Sequence, residues 1–132
     1  MLEKFIIGTA NFGMAYGIMG RGQRLSDGLI REILSLSKNY KIKFLDTAPV
    51  YGDSEKIIGK IGVNGFGVTT KLHGLSNSNW SLIEQNIQKS MQDLRVTEPF
   101  DTILVHDPSE LSGKRFILTH ENLLKLKEKG YA

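Results

Sequence analysis

Four short apolar runs recur along this chain, each followed by apolar residues at helical spacing. The runs are Phe5-Ile6-Ile7-Gly8, Lys43-Phe44-Leu45-Asp46, Phe66 to Lys71, and Thr102-Ile103-Leu104-Val105. Continuous short runs predict strands covered on both faces, and therefore a parallel sheet. The stripes that follow are Leu29, Ile30, Ile33 and Leu34, then Ile57, Ile58 and Ile61, then Ile83, Ile87, Met91 and Leu94, then Leu123, Leu124 and Leu126. The predicted order is βαβαβαβα, an α/β class chain.

Local signals set the boundaries. Ser26 is predicted to cap the first helix, with Leu25 and Ile30 at staple spacing and an end near Asn39. Ser54 is predicted to cap a short helix to Lys60 that carries Glu55 in its first turn. Val63-Asn64-Gly65 reads as a turn, and β-branched Val68, Thr69 and Thr70 suit a strand. A polar loop over His73 to Asn79 ends in Asn79, the predicted cap of the third helix, and Asp107-Pro108 opens another loop. Leu118-Thr119 reads as the start of the last helix, with Leu118 and Leu123 at staple spacing and Gly130 as its stop.

Thr9 to Arg24 is a long connection containing Gly13, Gly17, Gly20 and Gly22. The glycine spacing is not that of the dinucleotide fingerprint, and no helix is expected directly after the strand. The segment reads as a flexible loop over the mouth of the sheet.

Three of the four strands end on chemistry. Asp46, Lys71 and His106 are the polar residues at the carboxyl ends of strands two, three and four. Tyr51 follows Asp46 in a turn marked by Pro49 and Gly52. An open doubly wound sheet gathers function at one switch point. A (β/α) barrel gathers it from successive strands, so the barrel is the predicted architecture. Singly, each residue has a structural use: an acid caps its loop, and a phenol packs. Together they form a kit. A phenol titrates near 10 in isolation, and an ammonium beside it favours the phenolate. An aspartate pairing with that ammonium would hold its position. The result is a general acid for a developing alkoxide, with an imidazole to orient a carbonyl. Such a kit suits carbonyl reduction by hydride from a nicotinamide. Metal ligation by Asp46 and His106 would leave Tyr51 and Lys71 unexplained, so no metal is expected. His73 and His120 are assigned no role, and Trp80 is expected to pack.

Composition excludes several classes. The 17 basic and 14 acidic residues are scattered, so no nucleic-acid face is expected. There is no cysteine, hence no disulfide framework. The run Lys4 to Gly8 is too short for a signal peptide, and no later run would span a membrane. A cytoplasmic chain of one domain, residues 1–132, is expected.

The runs Gly8-Thr9-Ala10-Asn11-Phe12-Gly13, Phe44 to Glu55 (FLDTAPVYGDSE), Ile58-Gly59, Thr70-Lys71-Leu72 and Leu104 to Pro108 (LVHDP) resemble the aldo-keto reductase family. The resemblance implies a (β/α)8 barrel of TIM type reducing aldehydes or ketones, with NADP or NAD as cofactor. It implies Tyr51 as general acid, Asp46 and Lys71 as its tuning pair, and His106 as the carbonyl-orienting group. It implies cofactor contacts from Gly8, Thr9 and Asp46, and a small carbonyl substrate, with a sugar-related one hinted at by the Gly-Thr-Ala-Asn-Phe-Gly opening. The resemblance maps the chain onto the first four βα units, a half barrel, and places most of the cofactor site in the other half. The interval from Tyr51 to Lys71 is short for the family. The chain alone is therefore expected to be inactive and to bind cofactor weakly. The alternative reading is a non-catalytic truncated barrel module that binds a partner or self-associates through its open edges.

Overall fold

The computed structural model describes residues 5–17 and 22–132. Lys4 and Gly20, named above, lie outside the described residues. The order is β1 (Ile6–Gly8), α1 (Ala10–Gly13), α2 (Asp27–Asn39), β2 (Phe44–Asp46), α3 (Ser54–Ile61), β3 (Gly67–Leu72), α4 (Trp80–Leu94), β4 (Thr102–Val105), a 3-10 helix (Pro108–Leu111) and α5 (Arg115–Glu128).

All strand pairings are parallel, and the sheet runs β1-β2-β3-β4. Each strand lies beside its neighbour in sequence, with no reversal of the kind a doubly wound sheet contains. This is the order of four consecutive units of a (β/α) barrel. The register sorts the side chains. Gly8, Asp46, Thr69 and Thr102 lie across from one another, as do Lys71 and Leu104. Alternation along each strand adds Ile6, Phe44 and Gly67 to the same face. Ile7, Leu45, Val68, Thr70, Leu72, Ile103 and Val105 take the other face.

That second face meets the helices. Leu45, Val68 and Leu72 pack with Ile30 and Leu34 of α2, Ile57 and Ile58 of α3, Ile83, Ile87 and Leu94 of α4, and Leu126 of α5. The first face is open. Ile6 is 54% exposed and Leu104 is 41% exposed. Among the described residues no helix covers this face, which in a (β/α) barrel points inward. The run around Phe5 reads as a buried strand in sequence, yet β1 and β4 are the two edges of the sheet. Among the described residues, no further strand pairs with either.

The caps of α2 and α4 are as expected. Ser26 Oγ accepts from Leu29 N at 3.3 Å, and Asn79 Oδ1 accepts from Leu82 N at 3.0 Å. Helices α3 and α4 meet at Gly59, where a Cβ would stand 2.1 Å from the carbonyl oxygen of Asp93. Four boundaries differ from the sequence reading. A one-turn helix, α1, does begin two residues after β1, stopped by the extended backbone at Met14. Asp53, not Ser54, occupies the N-cap position of α3, with no side-chain cap, because the Ser54 hydroxyl is drawn inward. The loop opened by Asp107 winds into the 3-10 helix, capped by Asp107 Oδ1 accepting from Ser109 N at 2.9 Å. Helix α5 starts at Arg115, just after Gly113 with its φ of +57°. Leu118 is then mid-helix and 50% exposed, so it staples nothing.

Candidate active site

Asp46 is the last residue of β2, Lys71 lies one residue before the end of β3, and His106 directly follows β4. All three stand at the carboxyl end of the sheet. By strand alternation Asp46 and Lys71 share the open face, with Tyr51 reaching in from the loop after β2. The structure brings these four side chains together at one mouth.

Lys71 is the hub. Its ammonium donates to Asp46 Oδ1, to the Thr47 carbonyl at 3.2 Å, and to the Tyr51 hydroxyl oxygen at 3.2 Å. The Lys71 and Asp46 side chains are 15% and 30% exposed, so the ion pair is partly withdrawn from water. An ammonium has three protons and no acceptor, and here all three are engaged. The direction of the Tyr51 contact follows. Tyr51 must accept from Lys71, which leaves its own hydrogen for another acceptor. Among the described residues, that hydrogen is donated to no protein group. The Lys71 ammonium also lies 5.0 Å from the centre of the Tyr51 ring.

His106 stands edge-on to Tyr51, with ring centres 6.2 Å apart and planes 69° apart. Its backbone N–H donates to the Leu72 carbonyl at 2.7 Å, fixing the residue to the end of β3. Its Nδ1 is buried without a hydrogen-bond partner among the described residues. A buried polar atom left in that state is costly unless something else supplies its partner.

The loop carrying Tyr51 is held from behind. Tyr51 N donates to the Ala48 carbonyl at 3.0 Å, and Ser54 N donates to the Tyr51 carbonyl at 3.2 Å. The turn requires Gly52, with φ of +62°. Helix α1 presses its backbone against the loop at Gly13, where a Cβ would stand 1.9 Å from the Tyr51 carbonyl oxygen. Thr9 ties β1 to β2: its N–H and its hydroxyl both donate to the Asp46 carbonyl at 3.0 Å. Ser54 Oγ lies 2.9 Å from both the carbonyl and the hydroxyl oxygen of Thr9. Thr9 is fully buried, so its side chain presents no surface at the mouth. Gly8 is exposed on the open face beside Asp46, with nothing within 4 Å of where a Cβ would project.

Two acids that bear on the site were not singled out from sequence. Glu55 is 4% exposed and accepts from Thr70 Oγ1 at 2.9 Å. Burial pushes its carboxyl above the usual range, and the Thr70 hydrogen bond opposes the rise. Thr70 precedes Lys71 and projects from the opposite face, so this pair braces β3 behind the ammonium. The signal in sequence was an acid two positions before the apolar pair Ile57-Ile58. Glu110, in the 3-10 helix, is also buried. It accepts from Gly74 N and Ser76 N, each at 2.8 Å. Thr119 Oγ1 donates to its carbonyl at 3.1 Å. These bonds latch the loop after β3 to the segment after β4, and no local pattern in the sequence marks them.

The remaining candidates fall outside the cluster. Trp80 packs against the core, with the Lys125 ammonium 4.3 Å from its ring centre. His73 is exposed, and His120 stacks on Phe116 at 5.8 Å. Among the described residues there is no group of three or more His, Cys, Asp or Glu placed to hold a metal. Among them, no helix is long and apolar enough to cross a membrane.

Solved structures share this architecture. A Pseudomonas aeruginosa protein assigned as an aldo-keto reductase is 22% identical with a TM-score of 0.72, over 96% of this chain and 51% of that one. An aldo-keto reductase complexed with NADPH is 17% identical with a TM-score of 0.69, over 96% of this chain and 41% of that one. The aldose reductase of Giardia lamblia is 18% identical with a TM-score of 0.63, over 96% of this chain and 46% of that one. The chain thus spans about half the length of the solved structures it matches. No curated protein sequence gives a significant match. The model of the aldo/keto reductase family matches residues 4–131, and the chain belongs to that family.

Proposed function

We propose that this chain carries the acid–base half of an NAD(P)H-dependent reductase site for aldehydes or ketones. The observation that supports it most is the direction of the Lys71–Tyr51 hydrogen bond. Because the ammonium donates to the phenolic oxygen, the phenol is oriented to give its own proton to a third group. A carbonyl oxygen placed there gains negative charge as it is reduced and takes that proton. Lys71 steadies the phenolate left behind, and Asp46 keeps the ammonium aimed. His106, edge-on to Tyr51 at the same mouth, is suited to orient the same carbonyl.

The residues present fit the reacting end of a nicotinamide cofactor. Gly8 leaves open space beside Asp46 on the open face. Thr9 would act toward a cofactor only by positioning Asp46, since its hydroxyl is already engaged. When bound, the nicotinamide supplies hydride to the carbonyl carbon, and Tyr51 supplies the proton that completes the alcohol. The domain reading that accompanies this proposal is one domain over residues 1–132, forming the first four units of the family's barrel.

The test is single-turnover reduction of a generic aldehyde at saturating NADPH in a full-length barrel that carries residues 1–132, with cofactor binding followed by fluorescence in the same sample. In the 132-residue chain alone, cofactor binding is expected to be weak and turnover absent. Tyr51→Phe is expected to lower the rate by roughly 10²–10⁴-fold, the worth of general acid catalysis, while cofactor binding stays nearly intact. Lys71→Met is expected to cost a similar factor. An unchanged rate in Tyr51→Phe would rule the mechanism out. Cofactor binding with no turnover in the wild type would favour the non-catalytic module.

A further inference from the structure

We propose that Asn64 is a site of spontaneous covalent modification, its side-chain amide converting to aspartate and isoaspartate through a cyclic imide formed with the Gly65 nitrogen. The catalytic reading does not enter. The turn holding Asn64 precedes β3, at the opposite end of that strand from Lys71.

Asparagine is among the thermolabile residues, and the reaction has definite requirements. The backbone nitrogen of the following residue must reach the side-chain carbonyl carbon. That nitrogen must be able to lose its proton, so it must be open to water and free of an acceptor. The next side chain must not crowd it, and glycine, with no Cβ, crowds it least. The amide must also be free to turn, since a hydrogen bond would fix its rotamer.

Of the seven asparagines, one meets all of these. Asn39 and Asn86 lie in α2 and α4, and bulky Tyr40 and Ile87 follow them. Asn11 Oδ1 accepts from Tyr16 N at 2.9 Å, and Asn79 Oδ1 accepts from Leu82 N at 3.0 Å. Asn77 Oδ1 accepts from Ser76 Oγ at 3.3 Å, and Asn122 Nδ2 donates to the Leu75 carbonyl at 2.8 Å. Asn64 is exposed, and among the described residues its side chain makes no hydrogen bond.

Gly65 supplies the nucleophile. Phe66 N donates to the Val63 carbonyl at 2.9 Å, which puts Asn64 and Gly65 at the centre of a β-turn. The Gly65 φ of +85° is the left-handed value that a type II turn requires at its third residue. Gly65 is exposed, with nothing within 4 Å of where a Cβ would project. Among the described residues its N–H donates to no backbone carbonyl.

The step balances with water as its only co-reactant. The Gly65 nitrogen loses its proton to base and bonds to Asn64 Cγ. The Cγ–Nδ2 bond breaks, and ammonia leaves after taking a proton from water. Water then opens the imide ring at either carbonyl. One opening gives aspartate. The other gives isoaspartate, whose main chain runs through Cβ and Cγ. Both products place a new carboxylate on a cavity of about 270 Å³ that Arg95, Glu98 and Asp101 also line.

Peptide mapping of the purified full-length protein tests this, after incubation for days at about 37 °C and at about pH 6 or pH 8. Tryptic cleavage after Lys60 and Lys71 releases Ile61–Lys71, in which Asn64 is the one side-chain amide. That peptide is expected to gain the mass of an amide-to-acid exchange and to split into two chromatographic forms. One form is expected to accept a methyl group from an isoaspartyl-directed carboxyl methyltransferase. Conversion is expected to be faster at the higher pH, and faster than at any other asparagine of residues 1–132. A parallel sample in urea separates the turn from the dipeptide, since unfolding frees every asparagine. An Asn64 amide that persists in the folded protein would overturn the inference, whether or not urea releases it. So would conversion led by another of these asparagines, or a product without isoaspartate.

Discussion

At the scale of single residues, buried ionisable groups divide by what surrounds them. Lys71 and Asp46 face each other, and each satisfies the other's charge. Glu55 has no such partner. It lies behind the sheet with the Thr70 hydroxyl as its hydrogen-bond donor, and burial raises its pKa above the ordinary 4.5. The sign for stability follows. In the interval between the ordinary and the raised value, the folded state holds a proton that the unfolded state has released. The stability contributed by Glu55 is therefore greatest below about pH 4.5 and is lost as pH rises through the native value. Glu55→Gln retains an amide oxygen for Thr70 and removes the titration. Urea midpoints measured from about pH 4 to pH 8 are expected to fall less steeply with pH in Glu55→Gln than in the wild type. Equal slopes would show that Glu55 does not carry this dependence.

At the scale of elements, close backbone contacts position the site. Two glycines in helices illustrate how packing outweighs propensity. Gly28 in α2 has nothing within 4 Å of where a Cβ would project. Gly59 in α3 has the Asp93 carbonyl oxygen at 2.1 Å and Leu94 backbone carbon at 2.8 Å. Helix propensity alone favours alanine over glycine by about 1 kcal/mol at a helix interior. Gly28→Ala, in the first turn of α2, is expected to be stabilising by less than that amount. Gly59→Ala meets backbone that cannot rotate away, and overpacking of this kind costs about 1–3 kcal/mol. It is expected to lower stability despite the gain in propensity. Thermal melts of the two variants check both signs. A stabilised Gly59→Ala would mean that α3 and α4 separate more readily than their contact implies.

At the scale of the whole molecule, the fold has a covered side and an uncovered one. Helices seal the face bearing Leu45, Val68 and Leu72, while Ile6 and Leu104 on the other face remain exposed.

The sequence by itself determined the elements and their order. Apolar runs and helical stripes are local patterns, and Ser26 and Asn79 cap their helices through bonds three residues long. The same locality marked Asp46, Tyr51, Lys71 and His106 as strand-end or turn residues. Only tertiary structure decided what those residues touch. The Ser54 hydroxyl reads as a cap because Ser54 begins a helix, but a bond to Thr9, distant in sequence, claims it. Glu110 reads as an unremarkable loop acid, because the Gly74 and Ser76 N–H groups that bury it come from another unit of the sheet. Cover over β1 and β4 is decided in the same way. An apolar run records that a strand prefers cover, and whether cover is present depends on which strands stand beside it.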